Sequence, residues 1–413
     1  MFDHRPSRER LVVVGNGMAA MRAVEELLAR APRRYDITVV GAEPHGNYNR
    51  ILLSSLLAGE KTADEIAING RNWYAEHGIR LLAGNPVTSI DPLAKSVTVE
   101  GLGALPYDTL LLGTGSRPLV PPLPGLGLPG VRAFRDIADT EAMIAAAGPD
   151  RRAVVIGGGL LGLEAAWGLK RRGMEVTVVH LMPTLMERQL DQTAGELLQS
   201  ALSSRGIDFV TSAETEEILG SERAEGVRLA DGRTIAADLV VLAIGIRPNI
   251  EMAKAAGLYV NRGILVGDDM RTSDPGIYAV GECIEHNGQV FGLVAPIWEQ
   301  ARVCGARLAG DPDAVYVPPP VFTSLKITGI DVFSAGSLAA TDEADEELTL
   351  HDPGRGIYKK LVLRQERIVG SVLYGHVADG PWYVDLMRRK ADVSAARDRL
   401  IFGRALAERQ FAS

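Results

Sequence analysis

Leu11 to Val14 is an unbroken aliphatic run, the pattern of a parallel strand buried on both faces. It opens into Gly15, Gly17 and Ala20 at the spacing G-x-G-x-x-A, and Met18 to Ala29 then carries the periodicity of a helix. A second strand, Tyr35 to Val40, is followed by Glu43. Short strands are expected at Arg80 to Ala83 and Ser96 to Glu100, and an apolar run ending in Leu112 stops at the small residues Gly113-Thr114-Gly115. From Ala153 the order begins again. A strand enters Gly157, Gly159 and Gly162 at G-x-G-x-x-G, a helix follows, and the strand Glu175 to Val179 ends at His180. LLLGTGSRP at 110 to 118 is echoed by VVLAIGIRP at 240 to 248, so the chain reads as internally duplicated.

The rest of the pattern sets the boundaries. Pro118 to Gly130 holds five prolines and three glycines and is read as a stiff connector. Ile277 to Val280 is a strand ending in Gly281-Glu282, which is how a return to the first domain would look, and a helix is expected from Pro296 to Leu308. After about Val315 the alternation turns β-like, with strands at Tyr358 to Leu363 and Ile368 to Leu373. The acidic stretch Asp342 to Glu347 is read as a solvated loop. The expected architecture is α/β: two Rossmann-like dinucleotide-binding domains plus a small α+β C-terminal domain. The first domain is discontinuous, at 1–120 and 250–315, the second lies at 121–249, and the C-terminal one at 316–413.

Each fingerprint has a physical meaning. The first glycine permits a tight turn, the second lets backbone approach a pyrophosphate, and the third small residue lets helix and strand pack closely, with the phosphates on the helix N-terminus. An acid after the second strand accepts ribose hydroxyls, which is the role expected of Glu43. Arg50, just beyond it, is a candidate for a cofactor phosphate. His180 neither accepts two hydroxyls as a carboxylate does nor forks onto a 2′-phosphate as arginine does. No arginine follows the strand directly, and Arg188 lies eight residues on, so NADH is favoured with NADPH possible.

Composition narrows the classes. The net charge of −8 in 413 residues argues against a nucleic-acid binder. Two cysteines, Cys283 and Cys304, are too few for a disulfide framework or a cysteine-held cluster, and seven scattered histidines show no metal-ligand spacing. No metal is expected. The N-terminal polar decamer leads straight into a strand without a signal-peptide core, and no run approaches the roughly 18 apolar residues of a spanning helix. A cytoplasmic protein without a transmembrane segment is expected. The tail from Asp385 to Ser413 carries seven Arg or Lys against four Asp or Glu, a solvated face or a docking one.

These residues resemble the two-dinucleotide-binding-domain flavoproteins, the pyridine-nucleotide-dependent reductases with a glutathione-reductase-like fold. Within them, GMAAMRAVEEL, NYNRILLSSLLAG, HLMPTLMERQLD, APIWEQAR, FTSLKITGIDVFSAG and DVSAARDRLIFG are most similar to the flavoprotein portion of assimilatory NAD(P)H nitrite reductase large subunits, with rubredoxin and ferredoxin reductases next. The resemblance implies FAD in the first site and NADH or NADPH in the second. It assigns FAD to Gly15, Gly17, Ala20, Glu43, Arg50, Thr114, Gly115, Gly281 and Glu282, and the coenzyme to Gly157, Gly159, Gly162 and Glu164. Met18, Ala19, Arg117, Leu160, His180, Gly245, Pro296 and Trp298 are further cofactor-binding candidates, and Glu164 is the candidate catalytic residue.

Departures from the family pattern shape the expected chemistry. Residues 44 to 60 contain no cysteine, so the thiol chemistry of disulfide and peroxide reductases is out. Ferredoxin-reductase relatives place a lysine near the flavin where NRILLSS has Ser55. A complete nitrite reductase continues into iron–sulfur and sirohaem domains, and two cysteines cannot hold a cluster. What remains is hydride transfer from nicotinamide to flavin and onward electron transfer to a separate metal-containing redox protein: a nitrate or nitrite reductase catalytic subunit, ferredoxin or rubredoxin. A peripheral membrane NADH:quinone reductase is the alternative, and a non-catalytic flavin-binding sensor is disfavoured because both sites are intact.

Overall fold

The structure is a computed structural model, and residues 8–319, 322–327 and 329–411 are described. Residues 1–7 of the polar N-terminal decamer, and the last two residues of the basic tail, lie outside that set. The chain forms two compact units. One comprises Met1–Leu53, Lys61–Arg117 and Ile246–Pro319, and the other Ser54–Glu60, Pro118–Gly245 and Pro320–Ser413.

The first unit is built on a five-stranded parallel sheet in the order Ile277–Ala279, Thr109–Leu112, Glu9–Val14, Tyr35–Gly41, Arg80–Ala83. Its central strands are aliphatic throughout and lie in one core with helix residues and the meander residues Val87, Ile90, Val97 and Val99: Leu11, Val13, Leu110 and Leu111 are fully buried. Helix Met18–Arg30 presents Ala20, Met21, Ala23, Val24 and Leu27 to the core, and helix Val294–Leu308 packs beside it. The approach is close because Gly305 lies against Ala23 and Glu26, where a Cβ would come within 2.5 Å of the Glu26 Cβ. A meander of Val87–Asp91, Ser96–Val99 and Gly103–Pro106 is inserted before the strand that ends in Gly113-Thr114-Gly115.

The second unit repeats this plan. Its parallel sheet runs Val131–Ala133, Leu239–Leu242, Arg152–Ile156, Glu175–Val179, Ile207–Val210, with the meander Thr215–Leu219, Gly226–Leu229, Thr234–Ala236 at the corresponding place. The same unit contains a five-stranded antiparallel sheet, in the order Phe322–Ile327, Ile330–Gly336, Arg367–Tyr374, Ile357–Arg364, Asp345–Asp352, covered by helix Gly380–Arg389. Two buried lysines tie it in place. Lys360 pairs with Asp191 at 2.8 Å and Glu347 at 3.1 Å, while Lys359 reaches Asp379 at 3.0 Å. Asp191 also caps helix Gln192–Ser203 and accepts the Tyr358 hydroxyl at 2.6 Å.

The acidic stretch read as a solvated loop is not one. From Asp345 it is an edge strand, and its carboxylates are ion-paired: Asp345 is gripped by Arg364 through both oxygens (2.6 and 2.8 Å), Glu347 meets Lys360, and Glu346 meets Arg397. The partners lie across the sheet or in the tail, which is why local composition misled. Much of the tail's positive charge is neutralised in this way, since Arg388 and Arg389 both pair with Asp385 and Arg404 with Glu408. Among the described residues no helix is long and apolar enough to cross a membrane.

Candidate functional site

The two glycine turns are closed by the same sterics. Gly15 adopts φ +104° and its N–H donates to Val40 O at 2.8 Å; an added Cβ would lie 2.1 Å from Gly113 O. Gly157 adopts φ +122°, donates to Val179 O at 2.8 Å, and a Cβ there would lie 2.3 Å from Ala243 O. Only glycine fits either position. The third small residues, Ala20 and Gly162, are also contact-limited: Ala20 Cβ would meet a Cβ on Gly113 at 2.6 Å, and one on Gly162 would strike Gly157 O at 2.0 Å.

Gly17 and Gly159 differ in kind. Their φ values, −84° and −80°, are ordinary, and nothing lies within 4 Å of where a Cβ would stand. Each is the N-cap of its helix, Met18–Arg30 or Leu160–Arg171, with no side-chain cap, so the first N–H groups, including those of Met18, Ala19 and Leu160, have no intrahelical acceptor. A pyrophosphate fits both cradles, because a helix N-terminus supplies donors and positive potential where no side chain intrudes.

Around the first turn the structure gathers most of the residues picked from the sequence. Gly281, at φ +95°, sits against Ala19, where a Cβ would meet Ala19 Cβ at 2.8 Å, and its N–H donates to the fully buried Gln300 Oε1 at 3.0 Å. Glu282 accepts from Ser116 Oγ at 2.7 Å. Thr114 and Gly115 are clasped by Asn249, whose amide donates to Thr114 O at 2.8 Å and whose backbone N–H donates to Gly115 O at 2.9 Å. Glu43 accepts the Tyr48 hydroxyl at 2.6 Å and pairs with Arg50, whose guanidinium also lies over the Tyr48 ring at 5.0 Å. Arg50, expected to face a phosphate, is thus bound to the acid. Two donors leave capacity on a carboxylate with about four lone-pair sites.

Arg117 forks its guanidinium onto Glu251 at 2.6 and 2.9 Å in an exposed pair. Pro296 is buried in the first turn of helix Val294–Leu308, and Trp298 is half-buried with the Arg22 guanidinium 5.8 Å over its ring. Sequence reasoning missed Asn16, Tyr74, Asn249 and Gln300. Asn16, between the two glycines, accepts from Tyr74 Oη at 2.6 Å and donates to His45 O at 3.2 Å, pinning the turn to the next loop. For Gln300 the available signal was a polar residue inside the buried stripe Ile297, Ala301, Cys304.

In the second unit Glu164 lies near the start of helix Leu160–Arg171, half-buried, and burial pushes its carboxyl up to about 7 against the lowering effect of a hydrogen bond from Ser54. The serine at this carboxylate is Ser54. The Ser54–Glu60 segment is held there by Leu57 seated on Gly168, where a Cβ would meet Leu57 Cγ at 2.6 Å, and by Arg172, which donates to Leu56 O at 3.2 Å and to Leu57 O. Gly245 has φ +126° and its carbonyl accepts from Leu119 N at 2.9 Å. His180 does not stand free at the strand tip. Its Nδ1 accepts the Gly158 N–H at 3.1 Å, so the ring proton is on Nε2, which donates to Glu187 Oε2 at 3.1 Å. Cys283 and Cys304 are both free and wholly buried in the first unit, and burial pushes both thiols up, away from the reactive thiolate.

Known proteins carry the same plan. The family model described as pyridine nucleotide-disulphide oxidoreductase matches residues 9–306, and that described as the rubredoxin NAD+ reductase C-terminal domain matches 320–391. The chain is 49% identical over 387 residues to a nitrite reductase [NAD(P)H] of Bacillus subtilis, covering 94% of this chain and 48% of that protein. It is 44% identical over 394 residues to the assimilatory nitrate reductase electron transfer subunit of the same organism, covering 95% and 51%. It thus spans about half the length of these curated relatives. Among solved structures, the covalent putidaredoxin reductase–putidaredoxin complex superposes with a TM-score of 0.86 at 26% identity, over 98% of this chain and 99% of that one. With the family match spanning both glycine turns, the chain belongs to the pyridine nucleotide-disulphide oxidoreductases, a family that binds FAD and NAD(P)H, here without the paired cysteines of its disulfide-reducing members.

Proposed function

We propose that this chain passes electrons from NADH, through FAD held in the first unit, to a separate metal-containing redox protein, and that it serves as the electron-transfer part of a cytoplasmic assimilatory nitrate or nitrite reductase. The observation that carries the reading is the pair of glycine turns closed by one geometry but finished by different strand-tip residues, Glu43 in one and His180 in the other. That is what two different dinucleotides require.

Bound FAD supplies a two-electron acceptor able to release electrons singly. The chain's part is to bind and orient. Gly17 and Gly159 leave room for pyrophosphates at helix N-termini. Glu43 takes the ribose of FAD while Tyr48 and Arg50 fix its carboxylate. Gln300 and Ser116 hold the Gly281-Glu282 turn. Glu164 keeps a proton near neutrality and presents a carboxyl to the coenzyme's amide end without an adjacent cation. Neither buried thiol can relay electrons through a disulfide, so the acceptor takes them from the flavin.

The nitrate and nitrite reductase relatives point to the first acceptor, and the C-terminal match over 320–391 favours rubredoxin or ferredoxin as the second. Anaerobic bleaching of the flavin by NADH tests the input, and stopped-flow reoxidation tests the output. The expected outcome is fast reoxidation by a metal-containing protein and no catalytic consumption of nitrite or nitrate by the chain alone. Turnover of either oxyanion by the metal-free chain overturns the proposal, and reoxidation by quinone alone replaces it with a quinone reductase.

A further inference from the structure

We infer that Glu187, seven residues beyond the strand tip, is the carboxylate that accepts the adenosine-ribose hydroxyls of the coenzyme, that His180 positions it, and that the pair makes the second unit select NADH over NADPH. The inference rests on the reading of that unit as the nicotinamide-coenzyme site.

In the first unit the acid follows its strand by two residues, Gly41 to Glu43. In the second, His180 is followed by Leu181 and Met182, both exposed, and the next acid in the chain is Glu187. Sequence distance is misleading here, because the intervening loop folds back onto the glycine turn. Gly158 N–H donates to His180 Nδ1, and Gly158 O accepts from Met186 N–H at 3.1 Å, so both backbone groups of the turn's middle residue are taken by this loop. Met186 adopts φ +53° to make the return, a left-handed conformation that a non-glycine residue holds only when its surroundings enforce it. Leu185 and His180 pack on Gly158 so closely that a Cβ there would meet them at 2.7 and 2.8 Å.

The result is a carboxylate one imidazole away from the phosphate-binding turn, with one oxygen committed and one free. Oε2 accepts from His180 Nε2 at 3.1 Å; Oε1 has no protein partner among the described residues, and the side chain is 30% exposed. A fixed, solvent-facing carboxylate one imidazole from the glycine turn is placed to accept two vicinal hydroxyls and repels a 2′-phosphate. Arg188 is exposed beside it and forms no ion pair among the described residues, so the acid, not the cation, is the group that the loop has built into place.

The test uses the full chain with FAD bound and two probes, ADP-ribose and 2′-phospho-ADP-ribose, followed by calorimetry. Wild type is expected to bind ADP-ribose the more tightly. Glu187→Gln keeps the bond to His180 but not the charge. It is expected to weaken ADP-ribose by about tenfold, the worth of a charge-assisted hydrogen bond, and to leave 2′-phospho-ADP-ribose unchanged or tighter. In anaerobic bleaching the loss should fall on the NADH concentration giving half-maximal rate. His180→Asn retains an acceptor for Gly158 N–H but cannot reach Glu187, so it should reproduce the loss, and the double variant should add little to it. Equal weakening of both probes, or of neither, by Glu187→Gln overturns the inference, as does full additivity of the two variants. A wild type that binds neither probe and is bleached by neither coenzyme fails earlier, and sinks the reading of the second unit itself.

Discussion

The two dinucleotide units share a backbone solution and differ in how each is finished. In both, the first glycine of the turn is jammed against the carbonyl of the residue just after the neighbouring strand, Gly113 in one and Ala243 in the other, and the second glycine faces open space. In the first unit the strand tip delivers a carboxylate supported by Tyr48 and Arg50. In the second it delivers an imidazole bonded into the turn itself. The jammed positions are dictated by van der Waals contact and change only at the cost of the fold. The tip residue is set by the ligand, and there duplication has given way to divergence.

The sharpest way to separate those two kinds of position is to substitute the glycines within one turn. Gly15→Ala puts a Cβ 2.1 Å from a carbonyl at positive φ and should cost about 2–4 kcal/mol, read as a lowered urea midpoint. Gly17→Val puts its Cβ where no atom lies within 4 Å and should leave the midpoint of the flavin-free protein within about 1 kcal/mol of wild type, yet yield a colourless preparation. In the second unit Gly159→Val should remain yellow and resist bleaching by NADH. A Gly17→Val protein that keeps its full flavin band breaks the comparison.

A smaller effect comes from the carboxyl that only the second unit possesses. Glu164 is pushed up from 4.5 to about 7, so between those values the native state holds a proton that the unfolded chain has lost, and stability falls as pH rises through that window. The loss should be on the order of 3 kcal/mol, and Glu164→Gln should abolish this part of the pH dependence when midpoints at pH 5 and pH 8 are compared. An unchanged pH slope in the variant would show that the carboxyl titrates normally. Smallest is Ser54→Ala. Removing the hydrogen bond that lowers Glu164 should move its titration upward and change stability by about 1 kcal/mol or less.

Both turns, their helices and the strands beside them were legible because each depends on local rules: aliphatic runs, glycine spacing and helical periodicity. What escaped were the contacts made by chain return. Gln300 meets Gly281 only because the helix after the turn lies back across it, and Asn249 reaches Thr114 from far along the chain. Glu187 comes home through one left-handed residue, Met186, that no composition rule reveals. The acidic stretch from Asp345 was misjudged for the same reason, since Lys360 and Arg364 neutralise it from the neighbouring strand. The partner of Arg117, Glu251, likewise comes from far along the chain.

The sheets also differ in where their outer strand comes from. Val131–Ala133 precedes the rest of the second parallel sheet, whereas Ile277–Ala279 reaches the first only after all of that sheet has been made. During synthesis the Thr109–Leu112 strand therefore keeps one bare edge while the later sheet emerges and closes. An open strand edge is where a nascent chain pairs wrongly. The first parallel sheet, although it is begun first, is the later of the two to be completed, and the yellow colour should appear on the ribosome only after Ala279 has cleared the exit tunnel.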